Sequence, residues 1–148
     1  MYLWILGDGP ERDFLGRLAS SLGVKSRVRF IGWQENPSPF YEACDFFVCP
    51  SRHEPLGNVI LEAWAHKKFV IAADSQGPKE LIKDENTGFL FPIDDVEILV
   101  HRIRECLNDK ELISSVAQKG HEFMVKNYSK SIVVGHYLEC FKKLLRTH

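Results

Sequence analysis

No excess of either charge marks this chain: 19 Lys and Arg face 20 Asp and Glu, for a formal net charge of −1. Binding to nucleic acid or to an anionic membrane surface calls for a basic excess, so neither partner class is expected. Apart from Lys67-Lys68 and Lys142-Lys143, the basic residues are scattered. Cysteine is sparse and unpaired in pattern. Cys44, Cys49, Cys106 and Cys140 form no CxxC, and no close Cys/His cluster offers a zinc site. All four lie in apolar segments and are read as small core residues in a reducing compartment. No apolar run is long enough for a transmembrane segment. The apolar start MYLWILG is short for a signal peptide and has no basic flank. The expected location is cytoplasmic.

What is present is a globular balance, 45% hydrophobic and 26% charged over 148 residues, the size of one domain. Short apolar runs alternate with helical patterns as far as residue 93. Strands are expected at Tyr2–Leu6, Val28–Ile31, Phe46–Cys49, Phe69–Ala72 and Gly88–Phe91. Between them, Pro10 suits the first turn of a helix whose apolar face is Phe14, Leu15, Leu18 and Leu22. Short helices are expected around Phe40–Ala43 and Pro78–Ile82, with a longer one after Gly57. This βα repetition predicts an α/β fold, a Rossmann-like parallel sheet flanked by helices. Residues 94–148 read as a helical tail. Asp94 with Glu97 resembles a capping box, Asn108-Asp109 interrupts, and a last helix from Ser129 turns Ile132, Val133, Tyr137, Leu138, Phe141 and Leu145 inward. The whole of 1–148 is read as one domain.

The informative stretch is SRHEPLGNVILEAW, Ser51 to Trp64. A strand ending at Pro50, a loop, and a helix starting near Gly57 place free backbone N–H groups at the strand's C-terminal edge, where open α/β sheets bind ligands. The N–H groups of Gly57, Asn58 and Val59, with the helix dipole, suit a diphosphate, and Gly57 lets it approach the main chain. Glu54 and Glu62 would repel phosphate but accept well from hydroxyl pairs, so they fit a sugar and a ribose on either side. The plain alternative is a solvated Glu62 and a loop Glu54 that favours the dipole. The apolar neighbours of Glu62 (Val59, Ile60, Leu61, Ala63 and Trp64) leave little width for an ordinary polar face. Other signals are weaker. Arg12 stands where GxGxxG needs its third glycine, so the Gly7 and Gly9 turn is not a dinucleotide fingerprint. No GxSxG surrounds Ser51. His53 reads as a solvated loop residue, and His66, His101, His121 and His136 as surface.

DFFVCPSRHEPLGNVILEAWAHKKFVIAAD resembles the C-terminal half of the family-4 glycosyltransferases, which have the GT-B fold. LGDGP at Leu6–Pro10, VRFIGW at Val28–Trp33, GPKELI at Gly77–Ile82 and NTGFLFP at Asn86–Pro92 match in order. The resemblance implies a retaining transfer from a nucleoside-diphosphate sugar, without an essential metal ion or other cofactor. It implies that Glu54 contacts the donor sugar as the catalytic carboxylate and that Glu62 holds the ribose. Leu56, Gly57 and Asn58 would hold the phosphates, and Trp33 and Gln34 would meet the base. The Gly7–Gly9 loop would border the cleft. The family's half begins one strand earlier, with an Arg and a Lys for the diphosphate, and an N-terminal acceptor domain precedes it. Gln76 stands where the family often has glycine. The chain alone is therefore expected to be inactive, with exposed apolar edges and marginal stability, and to need an N-terminal GT-B domain in cis or in trans. That half could carry it to the inner face of a membrane. The alternatives are a non-catalytic nucleotide-binding module, an interaction domain or fragment, and a nucleotide-sugar epimerase.

Overall fold

A computed structural model of the chain describes residues 1–146. Thr147 and His148, the end of the expected tail, lie outside the described residues. The packing falls into two units, Met1–Pro39 and Phe40–His148.

The first unit holds β1 (Leu3–Leu6), α1 (Arg12–Ser21) and β2 (Val28–Gly32). The two strands pair in parallel, Leu3 opposite Val28, with a register shift between Ile5 and Leu6. Only Ala19 and Gly32 are buried in this unit. The expected apolar face of α1 exists but is uncovered, Leu22 being 65% exposed. Pro10 stands in the turn before the helix rather than in its first turn. Its carbonyl-side neighbours complete that turn, as Arg12 N–H bonds the Gly9 oxygen at 3.2 Å.

The second unit opens with α2 (Ser38–Ala43), whose first two residues belong to the preceding unit. Then come β3 (Phe46–Cys49), α3 (Asn58–Ala65), β4 (Phe69–Ala73), α4 (Gln76–Leu81) and β5 (Phe89–Phe91), and the long helices α5 (Val96–Asn108), α6 (Lys110–Tyr128) and α7 (Lys130–Arg146). The strands form a parallel sheet in the order β3-β4-β5. Alternation along β4 divides the core in two. Val70 and Ala72 face Tyr41, Ile60, Ala63 and Trp64. Phe69, Ile71 and Ala73 face Phe89, Phe91, Cys106, Val116 and Ala117 on the other side. Trp64 is fully buried and donates from Nε1 to the Thr87 carbonyl at 3.1 Å. Gly120 of α6 lies against the indole, where a Cβ would clash with Nε1, Cδ1 and Cε2.

The α/β class, Rossmann-like with parallel strands flanked by helices and a helical tail, is as the sequence implied, the strands falling into two sheets. Strands β1 and β3 belong to separate sheets among the described residues. Three more expectations fail locally. Asp95, not Asp94, caps α5, accepting from Ile98 N–H at 2.9 Å, because the helix starts at Val96 and Asp94 is left-handed at φ 65°. The apolar side of α7 is not inward: Tyr137, Leu138, Phe141 and Leu145 are all exposed. Cys140, on the same helix, is exposed too, whereas Cys49 and Cys106 are buried and all four cysteines are free thiols. Periodicity defines an apolar stripe but does not supply the surface that covers it.

Candidate functional site

The site is built at the C-terminal end of the β3-β4-β5 sheet, where the strands release three loops. The first runs from Ser51 to Gly57 and ends as the cap of α3. Gly57 takes φ 73°, a left-handed value, and a Cβ there would meet Leu81 Cδ1 at 2.7 Å, so the position needs glycine twice over. The second loop, Asp74 and Ser75, leads into α4, whose first turn packs against the first loop. Gly77 N–H donates to the Glu54 carbonyl at 2.7 Å. A Cβ on Gly77 would stand 2.7 Å from Glu54 O, Gly57 N and Leu56 C. The third follows β5 and is joined to the first by Arg52 Nε and Asp94 Oδ1 at 2.7 Å, an exposed pair.

The start of α3 keeps donors unspent. Gly57 N–H is taken by its own loop, bonding Glu54 Oε1 at 3.0 Å. Ile60 and Leu61 N–H turn back to the Gly57 carbonyl. Among the described residues, the N–H groups of Asn58 and Val59 have no acceptor. These orphan donors and the positive end of the helix dipole point the same way. Two further polar atoms at this sheet edge, Asp74 Oδ1 and Ser75 Oγ, are buried without a hydrogen-bond partner.

Glu54 is half-buried and fixed through Gly57. Leu56 is 70% exposed beside it. Glu62 lies in the second turn of α3, exposed, between the buried Ile60, Ala63 and Trp64. Its Oε2 accepts from the Tyr41 hydroxyl at 3.2 Å. Burial, and then the Glu62 charge, push the Tyr41 hydroxyl well above its ordinary pKa, so it stays a donor. The structure therefore gathers Glu54, Leu56, Gly57 and Asn58 about one loop and places Glu62 on the helix that the loop caps.

The other site residues named from sequence belong to the first unit. Gly7 N–H bonds the Gly32 carbonyl at 2.9 Å and joins the ends of β1 and β2. Gly9 N–H bonds Asp8 Oδ1 at 2.9 Å. Trp33, just past β2, is 72% exposed, and Gln34 Nε2 reaches back to the Ile31 carbonyl at 3.4 Å. A shallow cavity of about 250 Å³ is lined by Gly7, Asp8, Gly9 and Arg12 with Leu15 and Phe30.

Sequence reasoning missed Tyr41, which carries no motif, and the close approach that requires Gly77. It also read two histidines as surface that are half-buried. His66 stacks on Tyr41 with centroids 5.4 Å apart, and His121 Nδ1 meets the Trp64 carbonyl at 2.8 Å. Among the described residues no His, Cys, Asp and Glu gather in a metal-holding group, and no helix is long and apolar enough to cross a membrane.

Comparison with known proteins gives a consistent set of likenesses. The family model described as glycosyl transferases group 1 matches residues 1–123. A lipopolysaccharide core biosynthesis glycosyltransferase of Rhizobium meliloti, LpsE, is 45% identical over 139 residues, 94% of this chain and 41% of that protein. LpsD of the same organism, named for the same process, is 38% identical over 142 residues, 96% of this chain and 41% of its own length. Among solved structures, Anabaena HepE in complex with UDP superposes with a TM-score of 0.90 at 26% identity, covering 97% of this chain and 41% of that one. The chain thus spans about two fifths of the relatives it matches.

Proposed function

This chain belongs to the group 1 glycosyl transferases, and from that premise we propose that it binds the nucleoside-diphosphate sugar donor of a retaining sugar transfer. The observation that carries this is the start of α3, with two orphan N–H groups and a carboxylate on either side of them in sequence. The diphosphate lies on the N–H groups of Asn58 and Val59, beside the exposed Leu56; Gly57, buried against Leu81 with its N–H spent on Glu54, shapes the turn that presents them. As the bond from the sugar to the diphosphate breaks and a bond to an acceptor hydroxyl forms, negative charge grows on the leaving phosphate. Fixed donors and the helix dipole stabilise it there without reorganising. Glu54, held by Gly57 N–H through Oε1, offers Oε2 to a hydroxyl of the donor sugar. Glu62 accepts from the ribose hydroxyls. No essential metal ion is proposed, because the helix terminus supplies positive partial charge where the diphosphate lies.

The UDP in the HepE complex supports a uridine donor. The family resemblance carries the base to Trp33 and Gln34 and the cleft border to Gly7 and Gly9, a separate proposal. The names of the two Rhizobium relatives support a growing lipopolysaccharide core as acceptor, and hence work on the cytoplasmic side of a membrane. The acceptor part is proposed to come from an N-terminal domain, in the same polypeptide or a separate one.

The test is a titration of the 148-residue chain with UDP, GDP, ADP and UMP, read by the amide shifts of Asn58 and Val59 and, for the base, by Trp33 fluorescence. Saturable binding of one diphosphate is expected, weakened about tenfold in Glu62→Ala. A folded chain that binds none of the four overturns the reading.

A further inference from the structure

We propose that Tyr41 is a positioning residue that aims Glu62 at the ribose, and so sets how strongly the site distinguishes a ribonucleotide from its deoxy analogue. The proposal rests on the reading of Glu62 given above, and goes beyond it in naming what holds that carboxylate. Glu62 is exposed on α3, and an exposed glutamate ordinarily samples several rotamers. Here one partner restrains it. The Tyr41 hydroxyl reaches Glu62 Oε2 at 3.2 Å and lies 3.4 Å from the Val59 carbonyl. A phenol has a single proton to donate, and the charged carboxylate is the stronger acceptor.

The ring that carries this hydroxyl is itself immobilised. Tyr41 is 7% exposed, stacks on His66, and meets Phe47 edge-on with centroids 5.5 Å apart. The short helix that bears it is tied down at its C-terminal end. Lys68 Nζ donates to the carbonyls of Glu42 and Cys44, each at 2.9 Å. A buried ring on a fastened helix therefore presents one hydroxyl to one carboxylate oxygen. That leaves Oε1 and the remaining lone pair of Oε2 to accept from two hydroxyls. A pair of neighbouring hydroxyls, as on a ribose, is what such a half-used, fixed carboxylate can grip. A freely rotating one would first have to be ordered.

Tyr41→Phe removes the proton donor and keeps the stacked ring. The affinities of UDP and 2′,3′-dideoxy-UDP are compared in the unmodified chain, in Tyr41→Phe and in Glu62→Gln. Tyr41→Phe is expected to weaken UDP by roughly three- to tenfold and to leave the dideoxy nucleotide unchanged, so that discrimination shrinks. Equal losses for both nucleotides would mean general loosening and would overturn the proposal, as would no loss for either. An unmodified chain that binds both nucleotides alike overturns the ribose role of Glu62 and this proposal with it. A measurement without ligand separates the two ideas. Side-chain couplings of Glu62 should report one dominant rotamer in the unmodified chain and averaging in Tyr41→Phe. Equal averaging in both overturns the positioning itself, whatever nucleotide binds.

Discussion

Strands β1 and β4 read alike in sequence and end differently in the fold. Leu3-Trp4-Ile5-Leu6 is as apolar as Phe69-Val70-Ile71-Ala72-Ala73. Yet β4 is buried along its whole length, Phe69 to Ala72 at 0% exposure, while Leu3 is 49% and Trp4 40% exposed. The difference lies in neighbours. β4 is paired on both edges by β3 and β5, and it touches α3, α5 and α6. Among the described residues β1 is paired on one edge, by β2. A parallel strand gains most of its stabilisation from being covered on both faces, and only the second unit supplies that cover to its central strand.

The comparison is tested hardest by truncating matched side chains. Ile71→Ala should cost about 3–4 kcal/mol in chemical denaturation, since a fully buried side chain leaves a cavity. Leu3→Ala should cost under about 1 kcal/mol. Equal losses would mean that the first unit has a core that its exposure conceals.

Glycine gives the next largest contrast. Gly120→Ala drives a methyl into the Trp64 ring and should cost about 1–3 kcal/mol. Gly16→Ala, on α1 with nothing within 4 Å, should instead gain up to about 1 kcal/mol of helix propensity. Thermal denaturation of the two variants beside the parent reads both signs.

The smallest effect is alkaline. Burial, and then Glu105, push the Cys106 thiol up from 9.0 to about 12. The unfolded chain releases this proton near pH 9 and the folded chain does not. The stability it contributes is therefore whole below pH 9 and falls as pH rises toward about 12. By pH 10 the loss from this group is about 1.4 kcal/mol. Cys106→Ala should flatten that slope while leaving the exposed Cys140 as reactive to thiol reagents as before. An unchanged slope would place the alkaline sensitivity elsewhere.

The five strands were legible because short apolar runs bounded by Gly, Pro and Asp have few other uses, and the observed strands fall within one residue of those expected. The loop and helix from Ser51 to Trp64 were legible too, since a glycine after a buried strand and before an apolar helix is a local signal. The inward face assigned to α7 failed for a physical reason. Its stripe of Tyr137, Leu138 and Phe141 fits the helical period, but the chain provides little beyond α6 for it to meet. Asp94 and Asp95 compete for the same cap, and backbone angles that no composition reveals decide for Asp95.

What the sequence determined by itself was local: where the chain extends, where it coils, and that a glycine-started helix carries acids at Glu54 and Glu62. These follow from periodicity and from the conformations each residue tolerates, which involve near neighbours only. The tertiary structure decided the rest. It brought Gly77 within a methyl's width of the Glu54–Gly57 loop, spent the Gly57 N–H on Glu54, and set the Tyr41 hydroxyl against Glu62 across 21 residues. Such contacts join segments that have no pattern in common. The packing of α4 against the loop, and of α2 against α3, fixes them.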